Sequence, residues 1–407
     1  MTYGFSRWGG GIDFIRYICT GISAFKKNSE DSIQLVLPGE DFQLYLKKFL
    51  IPARNILKMT LERKKTKWQP YHVFSEDYFR NTFSDLGKDV ELSFSGSSYS
   101  SQLSAAVRFD ADVIFPCIQP PPIEFDRAWI GYIADFQHRH LPYFFTENEC
   151  LLRDRDFSNM LHRARHVIVN AQSVIEDAKR FIGDFPAQVH VLPFSPCPQI
   201  AWLEKDEDMC SKYKINKPYF MISNQFWRHK DHATAFRGFA RFIHNGGDAL
   251  LVCTGDTKDY RFPDYFEELQ NLIDELDIKK YVYILGHIPK IDQINLVKTA
   301  LAMVQPTLFE GGPGGGAAYD AIALGVPVIA SNIPVNREMN AGDISYFVAK
   351  DADSLMNTLI ARGVNRKPRP SNDKLLQDGI KRKNILGQAI LDIVDMAFSD
   401  GNLKLFL

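Results

Sequence analysis

Residues 309–332 place two acidic side chains around a glycine-rich loop, between a predicted strand and a predicted helix. The apolar run 301–308 predicts a buried strand that leads to Glu310, and Asp320 lies one turn into the helical pattern that follows. The loop between the acids contains five glycines: Gly311, Gly312, Gly314, Gly315 and Gly316. Such a loop forms an anion site, because free N–H groups and the positive helix end point the same way. The acids suit neutral hydroxyls better than phosphate, so the combination indicates a nucleotide-sugar site.

A second loop, ISNQFWRHKDH at 222–232, carries cations between a predicted strand and a predicted helix. Arg228 and Lys230 are candidates to neutralise the charge that develops on a departing diphosphate. Cations are unfavourable at the start of a helix unless they face an anion, which favours a site role for Lys230 over a solvated surface. For Arg228 the site role and the solvated surface remain equal alternatives.

Two further loops come from the first half of the chain. IADFQHRHLP at 133–142 follows a predicted strand and carries the polar side chains Asp135 and His138. His140 is expected to be structural or solvent-exposed. RWGGGID at 7–13 places three glycines between a short predicted strand at 2–5 and a predicted helix at 12–25: Gly9, Gly10 and Gly11. Taken alone, this turn is weak evidence for an anion site.

Composition limits the class of protein. The chain has 407 residues, enough for about two domains, and its formal net charge of -1 argues against nucleic-acid binding. Its six cysteines form no CxxC pair, so we expect reduced thiols and no metal site. We expect neither a signal peptide nor a membrane-spanning helix, which favours a cytoplasmic protein. The basic amphipathic segment 41–67 suits peripheral contact with anionic lipid, although a solvated helix face is the favoured interpretation.

Short apolar runs alternate with helical patterns, which predicts an α/β fold with parallel sheets. The predicted strands are 112–116, 129–134, 166–170, 189–193, 219–223, 249–254, 281–285, 301–306, 328–331 and 344–348. Ligands of open α/β sheets bind at the carboxyl ends of strands, so Gly286 is a further candidate donor contact. The best domain boundary lies near 195–213, and the helical pattern at 373–398 is long enough to pack back on the first domain.

The second half resembles the family-4 glycosyltransferases, which are retaining enzymes of the GT-B fold. FEG at 309–311 and GVPVIAS at 325–331 match that family well. The second acid, Asp320, departs from the pattern because it follows Glu310 by ten positions instead of eight. The resemblance implies two Rossmann-like domains that face each other across a cleft, and no metal. The first would span 1–196 and be completed by 378–407, and the second would span 197–377.

The resemblance also implies roles for residues. Glu310 would hold hydroxyls of the donor sugar, Asp320 the ribose diol, and Lys230 the diphosphate together with the glycine-loop N–H groups. Gln225 stands where the family commonly has an arginine, and Arg228 is the candidate replacement. The loop at 133–142 is similar to a first-domain loop of the family, so Asp135 and His138 would contact the transferred sugar or orient the acceptor hydroxyl. The loop at 9–11 would lie near the diphosphate and the acceptor.

These features predict a retaining glycosyltransferase that moves a sugar from a nucleoside-diphosphate sugar to a hydroxyl acceptor, without a cofactor. By analogy with the family, the context would be bacterial surface polysaccharide assembly on a lipid-linked saccharide. Three alternatives stay open. They are a transferase with a soluble sugar acceptor, a nucleotide-sugar-binding protein without catalysis, and a GT-B-fold sugar epimerase.

Overall fold

The computed structural model describes residues 1–6, 9–25, 32–39, 46, 49–54, 56, 74–86, 89–204, 207–259, 261–364 and 368–403. Most of the basic segment 41–67, which we considered for lipid contact, lies outside these residues. No helix within the described ranges is both long enough and apolar enough to cross a membrane.

All strands of the first half pair in parallel. They form one pair, β1–β2, and one four-stranded sheet in the order β3–β4–β5–β6. The bounds are β1 (Ile33–Pro38), β2 (Val90–Ser95), β3 (Val113–Cys117), β4 (Ala128–Tyr132), β5 (His166–Val169) and β6 (Gln188–Val191).

The second half forms one six-stranded parallel sheet in the order β12–β11–β10–β7–β8–β9. Its strands are β7 (Tyr219–Ser223), β8 (Leu250–Thr254), β9 (Val282–Gly286), β10 (Met303–Gln305), β11 (Val328–Ser331) and β12 (Ile344–Phe347). From β7 the chain adds strands on one side, and from β10 it adds them on the other. The order therefore reverses between β7 and β10, which is where open α/β sheets form a ligand crevice.

Helices connect the strands. The α-helices are α1 (Gly9–Phe25), α2 (Glu76–Thr82), α3 (Tyr99–Arg108), α4 (Gln137–His140), α5 (Glu147–Arg163), α6 (Gln172–Ile182), α7 (Ile200–Glu204), α8 (Met209–Lys212), α9 (His232–His244), α10 (Tyr265–Glu275), α11 (Lys290–Thr299), α12 (Gly315–Ala323), α13 (Ala352–Val364) and α14 (Asn372–Leu403). Short 3-10 helices occupy Ser84–Leu86, Pro142–Phe144, Arg228–Lys230 and Pro334–Glu338.

The predicted α/β class and parallel sheets are confirmed. Three segments differ from the prediction: residues 2–5, β1 and β2. The segment predicted as a strand at 2–5 is a turn, because the Gln102 side chain accepts hydrogen bonds from Thr2 N and Tyr3 N in place of a neighbouring strand. Strands β1 and β2 were not predicted. Strand β2 alternates polar and apolar residues within only six positions, too short a pattern to stand out.

Helix α14 returns from the second sheet to the first half of the chain. Its apolar side chains share one core with α1 and with strands β1, β4 and β5. The two helices cross closely at a pair of glycines, where a Cβ atom on Gly387 would lie 2.2 Å from the Gly21 carbonyl oxygen. Such an approach leaves no room for a side chain. The crossing agrees with the predicted return of the last helix, although the domain boundaries themselves stay a prediction.

We expect Gly387→Ala to lower the free energy of unfolding by about 2 kcal/mol, because the added methyl group must push the two helices apart. The control is Gly363→Ala in α13, where the added Cβ meets no heavy atom within 4 Å. That control should raise stability by about 0.5 kcal/mol, since alanine favours the helix. Urea denaturation of both variants checks the result, and equal effects would contradict the close crossing.

Candidate active site

Lys230 and Glu310 meet at the point where the strand order reverses. Lys230 ends the 3-10 helix that follows β7, and Glu310 follows β10, the strand next to β7. The Lys230 Nζ atom lies 2.5 Å from Glu310 Oε1, and the two side chains are only 13% and 10% exposed. The two loops are also joined through the backbone, because Leu308 N donates to the His229 carbonyl at 2.8 Å. The structure thus brings the two main predicted site residues together.

The glycine loop opens α12 without any side-chain cap. Gly314 and Gly315 both have left-handed backbones, with φ of +69° and +63°, which few other residues adopt. Gly314 N donates to the buried Asn336 side chain at 3.2 Å, which fixes the turn. The Cβ position of Gly316 faces open space. Since the first N–H groups of a helix have no partner within it, this helix start is suited to an anion.

The same loop rests on the first half of the chain. A Cβ atom on Gly311 would lie 3.0 Å from Asp135 Oδ2, and one on Gly312 would lie 3.1 Å from the Asn170 Cβ atom. Asp135 follows β4 and Asn170 follows β5, so two neighbouring strand ends face the glycine loop. Asn170 also donates to the Tyr132 hydroxyl at 2.8 Å. Sequence reasoning missed Asn170, although its place at a strand end was the available signal.

The side chain of His138, a predicted sugar or acceptor contact, packs against α5. Its ring is fully buried, and its Nε2 atom lies 2.9 Å from Asp154 Oδ1 on α5. Burial lowers the pKa of His138, while the hydrogen bond to Asp154 opposes the shift. His140, which we expected to be structural or solvent-exposed, is exposed, and its ring lies 5.3 Å from that of Phe309. Its Nε2 atom lies 2.7 Å from Asp177 Oδ2.

The structure also places three other donor-binding candidates: Arg228, Gln225 and Gly286. The Arg228 guanidinium pairs with Glu268 on α10 at 2.5 Å and lies over the Phe262 ring, so its recorded partners lie outside the loop that carries Glu310. Gln225 is exposed in the loop after β7. Gly286 ends β9 at the same edge of the sheet, has a φ of +68°, and accepts a backbone hydrogen bond from Gly255. The predicted replacement of a family arginine by Arg228 is therefore not supported by this arrangement.

Asp320 is buried and forms an ion pair with Lys290, the first residue of α11. Burial raises the pKa of Asp320, and the charge of Lys290 opposes that shift. Asp13 on α1 lies close enough for its charge to interact with both. The prediction of a loop at Gly9, Gly10 and Gly11 is wrong, because these glycines form the first turn of α1, the helix that carries Asp13 toward this ion pair.

Comparison with known proteins identifies the second half. Residues 205–367 match the model of the family described as glycosyl transferases group 1. This region of the chain is therefore similar to the group 1 glycosyl transferases. It contains the Lys230–Glu310 and Lys290–Asp320 pairs and the whole glycine loop. The prediction of a glycosyltransferase is confirmed at this level. No curated protein sequence is significantly similar to the chain.

Solved structures show the same fold over nearly the whole chain. Anabaena HepE in complex with UDP-glucose is 14% identical, with a TM-score of 0.53, and the match covers 92% of this chain and 99% of HepE. Sucrose-phosphate synthase from Thermosynechococcus elongatus is also 14% identical, with a TM-score of 0.52, and the match covers 98% of this chain and 94% of the synthase. The predicted GT-B fold is thereby confirmed. No cluster of three or more metal-ligating side chains occurs within the described ranges.

In this glycosyltransferase fold, Glu338 links the two halves of the chain. It ends the 3-10 helix after β11, yet its carboxylate accepts hydrogen bonds from Gln172 N at 2.6 Å and from Ser173 N at 2.8 Å. Those two residues begin α6 in the first half, where the residue before the helix, Ala171, provides no side-chain cap. A carboxylate of one half therefore caps a helix of the other half, where the helix dipole favours a negative charge.

We expect Glu338→Ala to lower the free energy of unfolding by about 1 kcal/mol, as for the loss of a helix cap. Urea denaturation measures the effect. The control is Glu275→Ala, which removes an exposed carboxylate at the end of α10 and should change stability by less than about 0.5 kcal/mol. Equal stability of the Glu338 variant and the parent protein would contradict the cap.

Two buried histidines lie next to Lys230. Burial is the main reason why the pKa of His229 and that of His232 fall to about 3, and the charge of Lys230 lowers both further. The His232 ring stacks on Phe226 with 4.2 Å between centroids, and neither of its nitrogens has a hydrogen-bond partner in the part of the chain that the structure describes. Both rings are therefore neutral at neutral pH and add no charge beside Lys230.

This burial predicts acid sensitivity. Below the unfolded-state pKa of about 6.5, the unfolded chain binds protons that the folded chain excludes until about pH 3, so stability falls as the pH falls through this window. We expect the loss between pH 7 and pH 5 to be smaller by about 2 kcal/mol in His232→Phe than in the parent protein. Urea denaturation at both pH values tests this, and parallel losses in the two proteins would contradict it.

Proposed function

We propose that the chain is a retaining glycosyltransferase, which moves a sugar from a nucleoside-diphosphate sugar to a hydroxyl acceptor. The observation that carries the proposal is the 2.5 Å contact between Lys230 and Glu310 at the reversal of strand order, beside the uncapped start of α12. The carboxylate can accept hydrogen bonds from hydroxyls of the sugar. The cation and the free N–H groups of the helix suit the diphosphate, next to the bond that joins it to the sugar.

The donor would enter by opening the ion pair. Glu310 would turn to accept hydrogen bonds from hydroxyls of the sugar, and Lys230 would neutralise the diphosphate together with the N–H groups of α12. Before the donor binds, Lys230 and Glu310 hold each other in place. Only these two side chains would have to move when the donor enters. In the reaction, the bond between the sugar carbon and the phosphate oxygen breaks, and the acceptor oxygen forms its bond on the same face. Because the new bond forms on the face from which the diphosphate leaves, the sugar configuration is retained, and the acceptor proton passes to the leaving phosphate oxygen.

The second ion pair suits the nucleoside end of the donor. Asp320 is placed to accept from ribose hydroxyls once Lys290, whose side chain is half exposed, moves away from it. This assigns to Asp320 the role that the resemblance implies, in spite of its two-residue displacement. The charge of Asp13 and the glycines at the start of α1 would then border the donor from the first half of the chain.

The acceptor would approach from the first half. Asp135 and Asn170 face the glycine loop, and they are the polar side chains that support an acceptor role most directly. We further propose the two domains 1–196 with 378–407 and 197–377, which would exclude water when they close. Bacterial surface polysaccharide assembly is the proposed context. The protein would then act in the cytoplasm, or at the cytoplasmic face of the membrane if the acceptor is lipid-linked, and a soluble sugar acceptor is the alternative.

A nucleotide-sugar-binding protein without catalysis is the second candidate. It is favoured by the direction of Arg228, which pairs with Glu268 and so leaves Lys230 without a second cation from that loop. A single cation stabilises a departing diphosphate less well than two. The two candidates agree on donor binding and differ on turnover.

The test begins with a thermal-shift screen of nucleotide sugars, with UDP-glucose first because HepE binds it. We expect Lys230→Ala and Glu310→Ala each to lower kcat/KM for transfer or donor hydrolysis by about 100- to 1,000-fold, since each removes a charged contact at the reacting bond. The control is Lys217→Ala, which removes an exposed ion pair with Asp248 just before β7, at the opposite end of that strand. It should leave activity unchanged.

Two outcomes would contradict sugar transfer. Tight donor binding without transfer or hydrolysis, with any hydroxyl acceptor tried, would favour the binding protein. Conversion of the donor into an isomer without any acceptor would favour an epimerase. Equal activity of the parent protein, Lys230→Ala and Glu310→Ala would place the site elsewhere.

A further inference from the structure

Behind Glu310 lies a chain of two buried amides. Asn224 follows β7, and Gln305 is the last residue of β10, the neighbouring strand. Asn224 Nδ2 donates to Gln305 Oε1 at 2.7 Å, and Gln305 Nε2 donates to Glu310 Oε1 at 2.9 Å. Gln305 is fully buried and Asn224 is nearly so. A buried amide group is unfavourable unless its polar atoms are paired. These two amides are paired with each other and with Glu310.

The direction of this chain is fixed by its chemistry. Because Asn224 donates to the oxygen of Gln305, Gln305 must present its N–H group to Glu310. The same carboxylate oxygen, Oε1, also accepts from Lys230 at 2.5 Å. The other oxygen, Oε2, faces the start of α12, where a Cβ atom on Gly315 would lie 3.0 Å from it. The Glu310 carboxylate is thus oriented from three sides, and of the three described neighbours Lys230 alone carries a charge.

We propose that Gln305, supported by Asn224, is the positioning residue that holds the Glu310 carboxylate when Lys230 leaves it for the diphosphate. This rests on the proposed function, in which the donor opens the ion pair. Without Gln305, the carboxylate would lose its remaining fixed partner at the moment when it must hold the sugar. Gln305 itself touches no substrate in this scheme, and a neutral donor suits the role because it does not cancel the charge of Glu310.

The first test is Gln305→Met, which keeps a similar volume and removes the N–H group. We expect kcat for the donor found by the screen, or for UDP-glucose if it binds, to fall about 10- to 100-fold, because a small misplacement of a reacting group has that effect. KM for the donor should change less than threefold, since Lys230 and the helix start remain. The matched control is Gln102→Met, another fully buried glutamine, outside this chain of amides. It should lower the unfolding temperature without lowering kcat.

Three further variants separate orientation from packing. Gln305→Glu keeps the shape, but its carboxyl group can donate to Glu310 only while it is protonated, so its kcat relative to the parent protein should fall as the pH rises. Asn224→Leu should lower kcat less than Gln305→Met does. The double variant Asn224→Leu/Gln305→Met should be no slower than Gln305→Met alone, because Asn224 acts only through Gln305. Additive losses would overturn that order of action.

One measurement is independent of the donor. The side-chain amide signal of Gln305 in an NMR spectrum can be assigned by its absence in Gln305→Met. It should move in Glu310→Gln, since the amide would then donate to a neutral group. A stationary signal, or a wild-type kcat in Gln305→Met, would overturn the proposal. A signal that moves in a protein that transfers no sugar would keep the amide chain and reject the proposed function, so the two failures are distinguishable.

Discussion

The ion pair between Lys230 and Glu310 joins the two strands at which the order of the second sheet reverses. Neither side chain is stable there alone, because both are largely removed from water, and an unpaired charge in such a place is costly. The pair therefore fixes the loops after β7 and β10 relative to each other. The glycine loop, α12 and the contacts with the first half all follow from where those two loops lie.

The halves of the chain are held together by contacts of different kinds. The α14–α1 crossing is apolar and close-packed, so it resists any change in distance. The Glu338 cap on α6 is local and polar, so it can break and form again with little disturbance of either core. A molecule built this way has a fixed connection on one side and a releasable connection near the site.

The sequence was most informative where a residue type is rare for its position. A lone carboxylate after a buried strand and a lysine at a helix start are such cases, and Glu310 and Lys230 were found from them. The orientation of the Arg228 side chain was not predictable, because the ring over which it lies belongs to Phe262, more than thirty residues further along the chain. His138 and His140 are two positions apart, and only the packing against α5 decides which one turns inward.

Gln305 shows why the remaining part of the site could not be predicted. In the run LAMVQP it resembles a tolerated polar residue in a short strand, and its partner Asn224 is 81 residues away in sequence. A glutamine at this position has a physical reason if Glu310 changes partners, as we propose. A lysine or arginine at this position would neutralise the carboxylate permanently and compete with Lys230, and an apolar residue would leave Asn224 unpaired. A neutral amide is the side chain that can hold the carboxylate in one direction and leave its charge available to the exchange between cation and sugar.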